Sequence, residues 1–192
     1  MNRTLTTLLL LSASLSCAAV VTGAPAGKVM CRDGYVKFFS KTPMEDILAE
    51  THTTVAIFEP STAHLRVRMM ISSFVFPNHL MQEHFNENYM ETDKFPMSIF
   101  EGTAQGLDWT KLKAGEANPV TVSGDLEIHG VKKHYDVPGT FKLAADGTYS
   151  GDAVFKVRIA DHGIKVPSIV TKNIAEEVEI TLHLQGKIEV TK

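Results

Sequence analysis

Histidine is the side chain best suited to hold a metal or move a proton near neutral pH, and this chain of 192 residues has eight of them. Their spacing is the first test. A zinc-binding helix needs two histidines on one face with a glutamate placed to act on water. The run His79-x-x-x-Glu83-His84 puts His79 and Glu83 on one face. His84 falls about 140° further round the helix, so both the forward and the inverted zinc-protease patterns fail. Asp161-His162 has the composition of an acid–base pair, but neighbours on a strand point to opposite faces, and Gly163 favours a turn. His52, His64, His129, His134 and His183 fall at polar positions of strands or turns. Nucleophile motifs are also missing. The sequence has no G-x-S-x-G elbow and no glycine-rich phosphate loop before a helix. Cys31 has only Arg32 beside it to favour a thiolate, and Glu176-Glu177 reads as a solvated acidic face. No catalytic residue and no metal ligand is assigned, and the chain is read as a non-enzyme.

Charge narrows the partners. With 19 Lys+Arg against 22 Asp+Glu and no basic cluster, the net charge of −3 lacks the footprint that nucleic-acid binding requires. Residues 1–23 carry Arg3, an apolar stretch from Leu5 to Leu15 and small residues before Ala24, the pattern of a secretory signal peptide cleaved after Val21-Thr22-Gly23. A lipid anchor at Cys17 is the rival reading, though Ser14-Leu15-Ser16 is a poor approach to a lipidated cysteine. Cleavage leaves residues 24–192 as one domain of 169 residues at −4, periplasmic or secreted, with Cys31 unpaired. Stability must then come from the core.

The elements that would position any site repeat with period two. Leu65, Val67, Met69 and Ile71 alternate with His64, Arg66, Arg68 and Met70. Tyr149, Ala153, Phe155, Val157 and Ile159 share a face, as do Ile174, Val178, Ile180, Leu182 and Leu184. Further strands are expected at 34–40, 52–59, 97–104, 120–129 and 132–143, with turns at Glu59-Pro60-Ser61, His129-Gly130 and Asp146-Gly147. Two segments leave this period. Met81, Phe85 and Tyr89 at i, i+4, i+8 predict a helix over 78–89 capped by Asn78. Thr42-Pro43 predicts a short helical turn over 43–48. The fold class is all-β: an antiparallel barrel of about eight strands with one or two short capping helices. Such a barrel is either filled by side chains or holds one small ligand, and alternation alone does not distinguish the two.

Several segments resemble the YceI-like family. Ser72-Ser73-Phe74 followed by HLMQEHFNENYMETDKFPMSIFEG (His79–Gly102) is similar to its strand–helix–strand signature. VSGDLEIHGVKK (Val122–Lys133), KVRIADHGIKVPSIVTKNIAEEVEI (Lys156–Ile180) and SKTPMEDI (Ser40–Ile47) match in the same order, so the resemblance covers most of residues 30–190. It implies an elongated lipocalin-like barrel that binds a polyisoprenoid or isoprenoid quinone in its lumen, with no universal catalytic residue. That lipid is the expected ligand and no other cofactor is expected. A transient membrane contact and a homodimer are left open as partners. The apolar inward positions expected to meet the tail are Ile47, Leu65, Val67, Met69, Ile71, Leu80, Phe85, Phe95, Ile128, Phe155, Val157, Ile159, Ile180 and Leu182.

Overall fold

The period-two segments form eight antiparallel strands paired in sequence order: β1 (Val29–Lys41), β2 (Asp46–Glu59), β3 (His64–Met70), β4 (Met97–Gln105), β5 (Ala117–Ile128), β6 (Val131–Leu143), β7 (Thr148–Arg158) and β8 (Glu177–Lys187). The computed structural model describes residues 24, 27–166 and 174–188. The signal-peptide and Cys17 readings lie outside them. β8 pairs back onto β1 through Tyr35↔His183 to Phe39↔Glu179, so the sheet closes into a barrel. Among the described residues no helix is long and apolar enough to cross a membrane.

The strands run alternately up and down, so the connections divide between two ends. At one end, here the lid end, lie the long β3–β4 connection (71–96) and the β7–β8 connection (159–176). The opposite, plug end has tight turns at 60–63 and 144–147 and one longer loop at 106–116. The expected turns are all present. His129 (φ 53) and Gly130 (φ 73) both take left-handed conformations, which a two-residue hairpin between right-twisted strands requires. A Cβ on Gly130 would meet the Phe95 ring at 2.8 Å.

In the β3–β4 connection, helix α1 (His79–His84) starts where expected, because the Asn78 side chain accepts from the amides of Leu80 (2.9 Å) and Met81 (3.4 Å). It continues as a π-helical turn over Phe85–Tyr89, closed by the Met90 amide donating to the Phe85 carbonyl at 2.9 Å. The helical turn expected over 43–48 does not form. The Thr42 hydroxyl accepts from the amides of Met44 and Glu45, which makes a compact turn, and from Asp46 onward the chain pairs with β1 (Lys41↔Asp46, Ser40↔Ile47). Cross-strand bonds satisfy more backbone than one isolated helical turn could.

The ladder between β6 and β7 is incomplete. It runs from Gly139↔Ala153 to Leu143↔Tyr149, and the lid-end halves of the two strands are not paired. Side chains fill that split. The Tyr135 ring packs edge-on against Phe155 and stacks on His162, which sits in the 3₁₀ turn Ile159–His162.

Candidate functional site

Inward-facing side chains do not fill the barrel. They enclose an outer chamber of about 350 Å³ at the lid end and an inner chamber of about 140 Å³ toward the plug end. Val36, Met69, Leu126, Phe155 and Ile180 border both, forming a waist between them. No lysine or arginine is among the described residues lining either chamber. The walls are almost entirely apolar, so they favour hydrocarbon over water.

Each expected contact can now be placed. Ile47, Ile71, Phe85, Ile128, Val157 and Ile159 line the outer chamber; Leu65, Val67 and Leu182 line the inner one; Met69, Phe155 and Ile180 lie at the waist. Leu80 and Phe95 fall outside the lumen. On α1 it is Met81 and, one turn on, Phe85 that face inward, which rotates Leu80 to the outside, where it is 57% exposed. Phe95 packs instead against the His129 ring, 4.4 Å between centroids, over the side-chain-free Gly130.

The lining also includes residues outside that set. Val36 and Phe38 lie in the alternating stretch of β1, so their inward face was readable by period. Phe74 and Phe76 come from an irregular segment without any period. Phe38 is the centre of an aromatic cluster there, with Phe74 at 5.5 Å, Phe76 at 5.6 Å and Phe85 stacked at 5.4 Å. The wide π turn brings Tyr89 and Met90 to the same wall. Among the described residues, few polar groups line the outer chamber. Glu45, His84 and Tyr89 border the outer chamber, whereas the Ser40 hydroxyl is engaged by the Ala175 amide and the Ser98 hydroxyl by the Glu127 carbonyl.

Proton chemistry is accounted for elsewhere. His162 is fully buried; its Nδ1 donates to the Val131 carbonyl and its Nε2 accepts from the Tyr135 hydroxyl, both at 3.0 Å. Burial pushes its pKa below the usual 6.5, so it is a neutral structural bridge, and Asp161 beside it points to solvent. His79 and Glu83 form an exposed pair at 3.9 Å. Among the described residues no cluster of three or more His, Cys, Asp or Glu side chains could hold a metal. One arrangement was invisible along the chain: on the outer wall, Ser123 Oγ lies 3.1 Å from His134 Nε2, and His134 Nδ1 lies 3.0 Å from Asp125 Oδ1. This has the order of a hydrolase triad but not its hydrogen bonding: the Ser123 hydroxyl donates to Asp136 at 2.6 Å, and the cluster lies exposed on the paired β5 and β6 strands.

The sequence profile of the YceI-like domain matches residues 35–186. Among curated proteins, no sequence relative matches. Among solved structures, a polyisoprenoid-binding domain from Saccharophagus degradans superposes with a TM-score of 0.71 at 13% identity, covering 84% of this chain and 98% of that one. BcnA of Burkholderia cenocepacia gives 0.65 at 19% identity over 80% and 96%. The YceI protein of Campylobacter jejuni gives 0.54 at 15% identity over 95% and 92%. At these identities the likeness is one of fold.

Proposed function

The chain belongs to the YceI-like domain family, and from that premise we propose that it holds a polyisoprenoid or isoprenoid-quinone-like amphiphile, tail inward, for transport, storage or sequestration outside the cytoplasm. The observation that carries this reading is the unfilled apolar lumen: two chambers that share a border of five residues, with Glu45 and His84 at the rim of the outer one. The structure from Saccharophagus degradans, which has the same fold, is of a polyisoprenoid-binding domain.

Binding energy in such a site comes from the tail. Each buried CH₂ contributes about 0.8 kcal/mol, so a ten-carbon tail gains about 8 kcal/mol, comparable with the association cost of about 4–15 kcal/mol. Long chains are therefore held and short ones released. The lid of α1 and the π turn covers the outer chamber with Met81 and Phe85, side chains that a tail must pass. Methionine is unbranched and adapts to irregular partners, as at Met69 in the waist. Met44, Val75 and Leu80, all largely exposed on lid-end connections, are suited to brief contact with a membrane from which a tail could be taken. Export is supported by the pattern of residues 1–23. The protein acts by binding, without chemistry on its cargo.

Native mass spectrometry and organic extraction of the protein purified from its own host test this reading. A long-chain isoprenoid lipid released in a defined ratio to protein is the expected result. Protein that yields no lipid, with side chains filling both chambers in a crystal, overturns it.

A further inference from the structure

We propose that the inner chamber is a length gauge for the apolar tail, and that Gly151 and Ala153 set its reach; the inference rests on the lipid-binding reading above. β7 turns Tyr149, Gly151, Ala153 and Phe155 toward the lumen, so two small residues lie between two aromatic ones. Three glycines near this wall differ in what surrounds them. A Cβ on Gly139 would meet the Asp152 carbonyl oxygen at 2.6 Å, and one on Gly186 would meet the Tyr149 ring at 2.7 Å, so packing requires both. A Cβ on Gly151 would meet nothing within 4 Å. Neither a turn nor a close backbone approach demands glycine there, and its backbone is not in the left-handed region. A glycine inside a strand forgoes packing and conformational order. Its effect at this position is to leave space inside the barrel.

That space borders the outer chamber at the waist, where Met69 and Phe155 line both, and it has a floor. The floor is Phe58 and Phe141, backed by Trp109 at 6.3 Å and 5.8 Å between ring centroids. A tail whose polar end stays near Glu45 and His84 passes the waist, runs beside Gly151 and Ala153, and stops at Phe141. Each added methylene is buried until the floor is reached. Beyond that, further length displaces the head group from the lid end.

The test uses the full-length mature protein and a homologous series of isoprenoid alcohols of increasing tail length, measured by competition against a fluorescent apolar dye. Affinity is expected to rise with length and then stop. In Gly151→Leu the limit moves to shorter tails. The longest alcohol accepted by the unmodified protein loses about tenfold or more in affinity, because each excluded CH₂ is worth about fourfold. Alcohols too short to cross the waist bind as before. Ala153→Leu, one pleat away, gives the same displacement and serves if the first variant folds poorly. Trp109 is the single tryptophan of the chain, so its emission reports arrival at the floor: it shifts only with tails that cross the waist, and in Gly151→Leu it does not shift. An unmoved limit, or an equal loss at every length, overturns the gauge while leaving lipid binding intact. If the unmodified protein binds no member of the series, the lipid reading falls and the gauge falls with it.

Discussion

The two ends of the barrel are closed by different physics. At the plug end, Val29, Trp109, Leu143, Tyr149 and Ile188 form a buried cluster with Phe58, Phe141, Leu107 and Leu112 packed against it. The loop that carries Trp109 is pinned locally. Asp108 accepts from the Thr110 amide (3.0 Å) and hydroxyl (2.6 Å) and pairs with Lys111 at 2.8 Å; these contacts hold its carboxyl at a pKa of about 2. At the lid end the closing element is a one-and-a-half-turn helix with no fully buried residue, resting its aromatic side chains on a cavity. Glu91, left-handed at φ 43, ends that segment and ties it down through Lys94 and, at 3.1 Å, His129 Nε2. On the lipid-binding reading, the floor bears on a tail and the lid yields to admit one; the dense packing at the first end and its absence from the helix at the second are in keeping with that division.

The sharpest way to break the comparison is to truncate one aromatic at each end. Trp109→Ala is expected to cost about 3–5 kcal/mol in denaturant unfolding, as large buried aromatics do. Phe85→Ala, whose ring stacks on Phe38 on one side and borders the outer chamber on the other, is expected to cost less, about 2 kcal/mol, and to weaken lipid retention more. Equal costs at both ends would show that the lid is as much a part of the core as the floor.

pH attacks the ends from opposite sides. Burial, with Cys31 and Asp33 nearby, pushes the Tyr149 phenol at the plug end up to about 12 from 10.0. Its folded pKa lies above the unfolded one, so its contribution is full below pH 10 and is lost as pH rises toward 12. That loss is on the order of 2 kcal/mol. Tyr149→Phe should flatten stability over this alkaline window. At the lid end, His162 has a folded pKa lowered by burial. Its contribution is full above pH 6.5 and is lost as pH falls from there through the folded value. His162→Gln, which can still donate to Val131 and accept from Tyr135, should remove that acid slope at a cost of about 1–2 kcal/mol near neutrality. The smallest effect is expected from Glu91→Gln. Amide exchange over 85–95 should quicken with no change in the exchange of β6 or β7, and uniform quickening would mean that the lid does not open independently.

Much of the barrel was legible because a strand's faces alternate whatever its surroundings. Leu65, Val67, Met69, Phe155, Val157, Ile180 and Leu182 all lie on the inner face that their spacing implies. Ile47 follows from the family resemblance and not from alternation; a helical turn was expected there, but pairing with Ser40 overrode the Thr42-Pro43 start signal and turned Ile47 inward. The rule had no purchase on Phe74, Phe76 or Phe95, where the backbone is irregular and a side chain's direction depends on what it lands against. Asp161-His162 shows the same limit. Gly163 indicated a turn, but only the unpaired stretch between β6 and β7 made His162 a buried bridge.

By itself the sequence determined an exposed, weakly acidic exterior, eight alternating strands, the two-residue hairpin at His129-Gly130 and the cap at Asn78, because each follows from the preferences of neighbouring residues. Tertiary structure alone decided that the inner face leaves space. Whether facing side chains meet across a barrel depends on register, strand splay and which small residue opposes which large one. Gly151 illustrates this: along the chain it is one glycine among 13, and only the closed barrel shows that no atom occupies the place of its missing side chain.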